Sequence, residues 1–432
     1  MLFDLHPIFG LIPLVLYVIL SFKEKLHPIF NVVVCVILSA ILTKQPFSSF
    51  GGVLAESLGS FLGMIGFIIM IGSGLGAILQ KTGVAEYLVI SLTKKIGVNT
   101  EKKAILATMI CSTVLVSLLG TLAGANAIIA PIIIPLVATI GITPSTVAIA
   151  FMGAGLTGMF LGPYTPQVVT IMGLTNLNYG QYVIGAGIPL AILVLIITFL
   201  AANRVQKKTL GVYAYENIEK SNTEYVATPE VKRATIAFVL SMAALIGYGI
   251  TLQSGSSYAI LVISVTAIIT GLVGKLGMND MIETFVKGSA KMMWLFVMFI
   301  LFNPFINFIA EAGSFEALVA FLKPLLESQS KVVFSIVAAL TGIFGIGGAA
   351  TADNIVMDSM FKGLVTDLGV SSSLWALILL VAGQITSFAY PEADMIGQMG
   401  LARSKDIKNL VKFGVTVTIA SVILVGIRSF FG

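Results

Sequence analysis

The sequence predicts an all-α polytopic membrane protein of two inverted repeats, with broken helices, re-entrant segments and about ten to twelve spans. Three observations predict this. Hydrophobic residues make up 57% of the 432 and charged residues 10%, with a mean hydropathy of +1.03, whereas soluble domains carry roughly 25% charged residues. From Ala104 to Asn203 there is no Asp, Glu, Lys or Arg. Glycine and proline breaks then recur in order in the two halves of the chain. No soluble domain is visible. The net charge of +5 comes from Lys and Arg in short loops, which the cytoplasmic bias of basic loops explains without nucleic acid.

Phe9–Phe22 and Ile29–Thr43 read as the first two helices, joined by the basic turn Lys23-Glu24-Lys25. MLFDLHP lacks the basic n-region of a secretory signal, so the first span is read as retained. His6 and His27 both stand in HPIF at span edges, as interface residues rather than metal ligands. Cys35 and Cys111 lie in apolar runs and read as small buried hydrophobes. The glycine-rich piece Phe47–Ser60 is interfacial or re-entrant. Leu62–Gln80 is a span with the small-residue run Gly72-Ser73-Gly74-Leu75-Gly76, and Lys81–Ser91 restarts as a short helix. A basic loop with Lys94, Lys95, Lys102 and Lys103 precedes Ala104–Ile140, which is broken at Gly120–Asn126. Pro144–Phe160 ends in Gly162-Pro163-Tyr164-Thr165-Pro166, where two prolines three residues apart impose extended backbone. Val183–Ala202 is a further span.

Residues 1–203 form the first repeat, 204–233 a hydrophilic cytoplasmic linker and 234–432 the second repeat. At an offset of 228 residues Asn126 pairs with Asn354, Gly120 with Gly348, Gly141 with Gly369, Gly155 with Gly383 and Phe160 with Phe388. At 230, Gly83 pairs with Gly313 and Glu86 with Glu316. Pro166 faces Pro391, and Met172-Gly173-Leu174 faces Met399-Gly400-Leu401. Such ordered matches indicate duplication. The lysine loop near 94–103 has a counterpart with only Lys331 against Glu327. The segment with Arg403, Lys405, Lys408 and Lys412 has an uncharged counterpart at 175–184. Equivalent loops therefore fall on opposite sides, as inversion requires, and both termini face outside.

The chain is organised around Gly342–Phe361, GIFGIGGAATADNIVMDSMF. An apolar helix breaks at Gly345, Gly347 and Gly348, shows Thr351, Asp353 and Asn354, and turns apolar again. A break frees carbonyls that bind small cations and creates a helix N-terminus that attracts anions. A carboxylate at membrane depth is tolerated only where it is buried in protein or lines a wet cavity. Asp353, with Asn354 and Asn126, is the candidate Na⁺ site, or Asp353 is a proton relay; its alternative is a cap on the second half-helix. The first half offers Ser117, Thr121, Tyr164, Thr165 and Gln167, all neutral. The second adds Thr386, Ser387, Glu392 and Asp394 around Pro391. Asp358 precedes Lys362 by four residues, the spacing of a helical ion pair. Glu86 and Glu316 follow a glycine and read as structural. No Walker loop, GxSxG elbow or zinc motif is present, so no enzyme and no cofactor beyond a coupling ion is expected.

The runs GSGLGAILQKTGVAEYLV, GTLAGANAIIAPIIIPLVATIGITPSTVAIA and GPYTPQ resemble the ion transporter superfamily, which includes sodium/proton antiporters, gluconate/proton symporters and C4-dicarboxylate or citrate carriers. The resemblance covers most of both halves. It implies re-entrant hairpins, a homodimer with a scaffold domain, elevator-type alternating access, and tips at Gly120–Asn126 and Gly347–Asn354. The Ser-Asn-Thr signature of the dicarboxylate branch is absent from both tips. The sequence thus points to a cation-coupled secondary transporter in the inner membrane, with Na⁺/H⁺ exchange as the first reading. The second is Na⁺- or H⁺-driven symport of a small organic acid or amino acid. The third is a channel or non-transporting subunit, which midplane breaks in an inverted duplication disfavour. Its partners are membrane lipid and a small ion or solute.

Overall fold

A computed structural model describes residues 5–21, 26–215, 227–326, 330–345 and 350–431. The turn Lys23-Glu24-Lys25, the centre of the linker, Glu327, and the break residues Gly347 and Gly348 lie outside them. The described residues are helical and contain no strand.

A 3₁₀ turn, Pro7–Leu11, leads into α1 (Ile12–Ser21), followed by α2 (Pro28–Leu42). The two HPIF histidines cap these elements. His6 Nδ1 accepts from the Ile8 N–H at 3.3 Å and His27 Nδ1 from the Ile29 N–H at 3.2 Å. Both cysteines are buried and free. α3 (Phe50–Leu58) is short and mostly exposed, followed by α4 (Phe61–Lys81), α5 (Val84–Ile96), α6 (Glu101–Leu119) and α7 (Leu122–Ala138). The first break is narrower than the sequence suggests. Gly120, at φ 67°, and Thr121 form it, and Asn126 lies inside α7. Gly124 stays helical because tertiary packing outweighs its propensity cost of about 1 kcal/mol.

α8 (Pro144–Leu161) and α9 (Pro166–Thr175) are separated by the predicted extended stretch. Gly162 and Thr165, each before a proline, have ψ of 126° and 142°. A short α10 (Tyr179–Tyr182) and a π turn lead into α11 (Ile188–Thr209). The linker is therefore shorter than 204–233, since α11 runs to Thr209 and α12 begins at Pro229. Gln206 explains the extension. Its Oε1 accepts from the Thr143 N–H at 3.0 Å and from Thr146 Oγ1 at 2.9 Å, while its Nε2 donates to Gly141 O at 2.8 Å.

The second half runs α12 (Pro229–Thr251), α13 (Tyr258–Val273), α14 (Met278–Ala290), α15 (Met293–Glu311), α16 (Ser314–Leu326), α17 (Lys331–Gly345) and α18 (Ala350–Asp367). It ends with α19 (Ser372–Gln384), α20 (Thr386–Ala389), α21 (Ala393–Leu401) and α22 (Ile407–Phe431). Left-handed residues recur at matched places: Lys44 (φ 60°) with Lys275 (59°), Gly83 (73°) with Gly313 (70°), Gly141 (81°) with Gly369 (59°), and Asn176 (55°) with Arg403 (54°). Two of these pairs are not glycine, where a positive φ is uncommon.

Among the described residues seven segments are long and apolar enough to cross a membrane, beside six shorter apolar helices. Helices meet at small residues, as in membrane bundles. Thr113 Oγ1 on α6 donates to Ala154 O on α8 at 2.9 Å, and a Cβ at Gly158 would stand 2.6 Å from Thr113 O. α9 packs on α18 and α19, and α21 packs on α7 and α8. Each half thus presses its post-proline helix against the broken hairpin of the other.

Candidate functional site

The first turn of α18 is wedged among α9, α17 and α19. It buries Thr351, Asp353 and Asn354, the last two at 1% and 0% exposure. Glycines make the space. A Cβ at Gly342 on α17 would stand 3.1 Å from Asp353 Oδ2. A Cβ at Gly383 on α19 would stand 2.5 Å from Gln167 Nε2 and 2.8 Å from both Ala350 O and Asn354 Oδ1. Two amides from different halves therefore converge on Gly383. Gln384 joins them, its Nε2 donating to Gln167 Oε1 at 3.4 Å.

Among the described residues several atoms of this cluster are buried without a hydrogen-bond partner. They are Asp353 Oδ2, Asn354 Nδ2 and Oδ1, Gln167 Nε2 and Gln384 Oε1, with Thr170 Oγ1 one turn along α9. Leaving one such group unpaired costs about 1–3 kcal/mol. In folded proteins buried polar atoms are nearly all partnered, so a concentration of unpartnered ones marks a place built for something else. The cluster contains one carboxylate, Asp353, and no Lys or Arg. Asp353 lies in the first turn of α18, past the cap position.

The other predicted residues are placed differently. Asn126 is partnered at both side-chain atoms: Ser112 Oγ donates to its Oδ1 at 2.7 Å, and its Nδ2 donates to Phe151 O at 3.2 Å and to Gln398 Oε1 at 2.7 Å. The expected Na⁺ ligand Asn126 is therefore held in an amide pair with Gln398 of α21. Ser117 Oγ donates to Gly158 O, Thr165 Oγ1 to Met159 O and Gly162 O, and Thr386 Oγ1 to Gly383 O. Those three hydroxyls tie backbone at the breaks. Ser387 Oγ donates to Asp394 Oδ2 at 3.0 Å, and Glu392 stands at the N-cap of α21. Thr121 and Tyr164 line a small cavity at the first tip, facing Gly72 and Ser73 of α4. Asp358 belongs to a structural pair, accepting from Trp375 Nε1 at 2.8 Å and lying 3.5 Å from Lys362 Nζ.

Gln384 and Gln398 are absent from the expectations. Their signal is an amide in an otherwise apolar run, at LILLVAGQ and MIGQMG. With them a relation between the halves appears. Asn126 on α7 meets Gln398 on α21, and Asn354 on α18 stands beside Gln167 on α9. Gly155 adjoins Asn126 as Gly383 adjoins Asn354. The first pair is joined by a direct hydrogen bond and keeps one unpartnered atom, Gln398 Nε2, whereas the second keeps three, Asn354 Nδ2, Asn354 Oδ1 and Gln167 Nε2.

Fold and site together define a multi-pass membrane protein with an uncompensated polar cluster at broken helices. The profile of the GntP family permease matches residues 6–249, more than half of the sequence, and the chain belongs to that family. A permease family moves solutes and does not convert them. The inner membrane permease YgbN of Escherichia coli (strain K12) is 29% identical over 199 residues, which are 46% of this chain and 42% of that protein. The match thus spans less than half the length of that relative. The YdaH transporter of Alcanivorax borkumensis superposes with a TM-score of 0.63 at 16% identity, covering 94% of this chain and 99% of its own, and shares the fold. MtrF of Neisseria gonorrhoeae aligns at 0.49 with 14% identity over 99% of this chain and 96% of its own, below the level at which a shared fold follows.

Proposed function

We propose that this chain is a cation-coupled secondary transporter of a small hydroxylated organic acid, working by alternating access between two inverted repeats in the inner membrane. The observation that carries the reading is the unpartnered cluster around Asp353. Gln167 Nε2 and Asn354 Nδ2 offer donors, while Asn354 Oδ1, Gln384 Oε1 and Asp353 Oδ2 offer acceptors. A solute with hydroxyl groups uses both kinds; a bare ion uses only the acceptors. The N-terminus of α18 supplies positive potential for a carboxylate.

Coupling follows from charge. Bringing an organic anion beside a buried Asp353 with no basic partner in the cluster is costly. A proton or Na⁺ that enters with the anion removes most of that cost, so each favours the binding of the other. Na⁺/H⁺ exchange is the second reading, favoured by the availability of Asp353 Oδ2 for one cation at a time. We extend the proposal to a homodimer on the family resemblance.

The test uses purified protein in liposomes with an internal pH dye. Labelled gluconate is offered with an imposed proton or Na⁺ gradient. Accumulation that collapses with one gradient, and is lost in Asp353→Asn, is the expected result. Na⁺-driven proton movement with no organic solute would establish exchange instead. Full gradient-driven accumulation by Asp353→Asn would refute the site.

A further inference from the structure

A second site lies away from the Asp353 cluster. A crevice of about 870 Å³ opens between α5 and α7. Its wall is apolar, formed by Ile90, Ile128, Ile132 and Leu136, and its rim carries Lys94 and Glu86. Its volume is in the range of ligand pockets, about 300–1,000 Å³.

The two rim charges are not neighbours. Eight residues of helix separate Glu86 from Lys94, about 12 Å along α5. Glu86 lies in the first turn of α5, where a carboxylate complements the helix N-terminus. Lys94 lies in the last turn and begins a basic group with Lys95, Lys102 and Lys103. All four lysines are exposed, and none has an ion-pair partner among the described residues. The loop they share is the most basic of the first half and falls on the cytoplasmic side by charge. An apolar slot whose rim carries Lys94, the first lysine of that basic segment, has the polarity of a phospholipid with an anionic head.

α7 gives the slot a role. It carries Pro131 and Pro135 inside the helix, and both line the crevice. Each proline removes a backbone donor and weakens the helix at that turn. α7 is also the return arm of the first hairpin, whose tip is Gly120–Thr121.

We propose that the α5–α7 crevice binds one anionic phospholipid, with the head on Lys94, Lys95, Lys102 and Lys103 and an acyl chain along the proline-weakened face of α7. The bound lipid braces the first hairpin. The proposal does not depend on the identity of the transported solute.

The experiment measures the unfolding temperature of the full chain in detergent, titrated with dioleoyl phosphatidylglycerol, dioleoyl phosphatidylcholine or inorganic phosphate. Phosphatidylglycerol raises the temperature saturably, and the other two do not. The variant with all four lysines changed to Gln folds normally, since these side chains are exposed, and loses the difference between the lipids. Ile132→Trp narrows the slot, keeps every lysine and also loses it. Equal shifts by the two lipids would overturn the proposal and leave a water-filled vestibule. A phosphatidylglycerol shift that survives Ile132→Trp would overturn it in favour of surface attraction, and an equal shift by inorganic phosphate would overturn it in favour of a simple anion site.

Discussion

Gly383→Ala tests the site at the point where its parts converge. The new methyl would stand 2.5 Å from Gln167 Nε2 and 2.8 Å from Ala350 O and Asn354 Oδ1, where ordinary contact begins at 3.4 Å. The two oxygens must retreat by about 0.6 Å and the amide nitrogen by about 0.9 Å. Gln167 and Asn354 can turn away, but Ala350 O is backbone, so α18 must shift on α19. Overpacking of this kind costs about 1–3 kcal/mol, and replacing a helical glycine returns up to about 1 kcal/mol. The net loss of stability is then about 0–3 kcal/mol, which leaves the protein folded. Binding suffers more. Two amides are displaced, each contributing about 0.5–1.5 kcal/mol, so KM rises roughly tenfold or more. Gly155→Ala is the control, because its methyl meets Leu122 Cδ1 at 2.4 Å and Asn126 Nδ2 at 3.0 Å. It costs comparable stability at the hydrogen-bonded Asn126–Gln398 pair and leaves KM near wild type. Solute counterflow into proteoliposomes gives KM, and thermal unfolding reports the fold. A folded Gly383→Ala protein with wild-type KM would refute the reasoning, as would equal KM changes in the two variants.

Other outcomes follow from the same contacts. Gln398→Leu removes one of the two acceptors of Asn126 Nδ2 and destabilises by about 1–3 kcal/mol, with the coupling ion unchanged; a changed ion preference in flux assays would place Asn126 in the ion site. Trp375→Phe strips Asp358 of its 2.8 Å donor and lowers the unfolding temperature, while gradient coupling persists because Lys362 still faces the carboxylate. Gly414→Ala would bring a methyl to 2.1 Å from Phe388 O, and the clash of α22 with the α20 break lowers stability by about 1–3 kcal/mol; wild-type stability in a denaturation series would contradict that packing. Asp353→Asn removes the only carboxylate of the cluster, and flux then becomes downhill only, measured as loss of accumulation against a gradient.

The sequence by itself determined the membrane setting, the helical class, the duplication and most break positions. Each rests on a local rule: apolar length for a span, the fixed φ of proline for Gly162–Thr165, and positive φ for Gly83, Gly120 and Gly313. It also marked Asp353 and Asn354, because a carboxylate in an apolar helix stands out against its neighbours. It misplaced the linker ends and the first break for want of tertiary contacts, since Gln206 extends α11 by bonding to a distant turn and packing keeps Gly124 helical.

Only the tertiary structure decided which polar residues are structural and which are left over. Asn126 and Asn354 are equivalent in sequence, yet Gln398 bonds to the first, while the second keeps both side-chain polar atoms unpartnered beside Gln167. That distinction depends on α9 and α21 crossing to the opposite half. Such pairings join residues more than 180 positions apart, and no periodicity or propensity along the chain encodes them. Asp358 shows the same limit. Its chain neighbour Lys362 was legible as a helical partner, whereas the indole of Trp375, which holds its other oxygen, comes from the next helix and is set by packing.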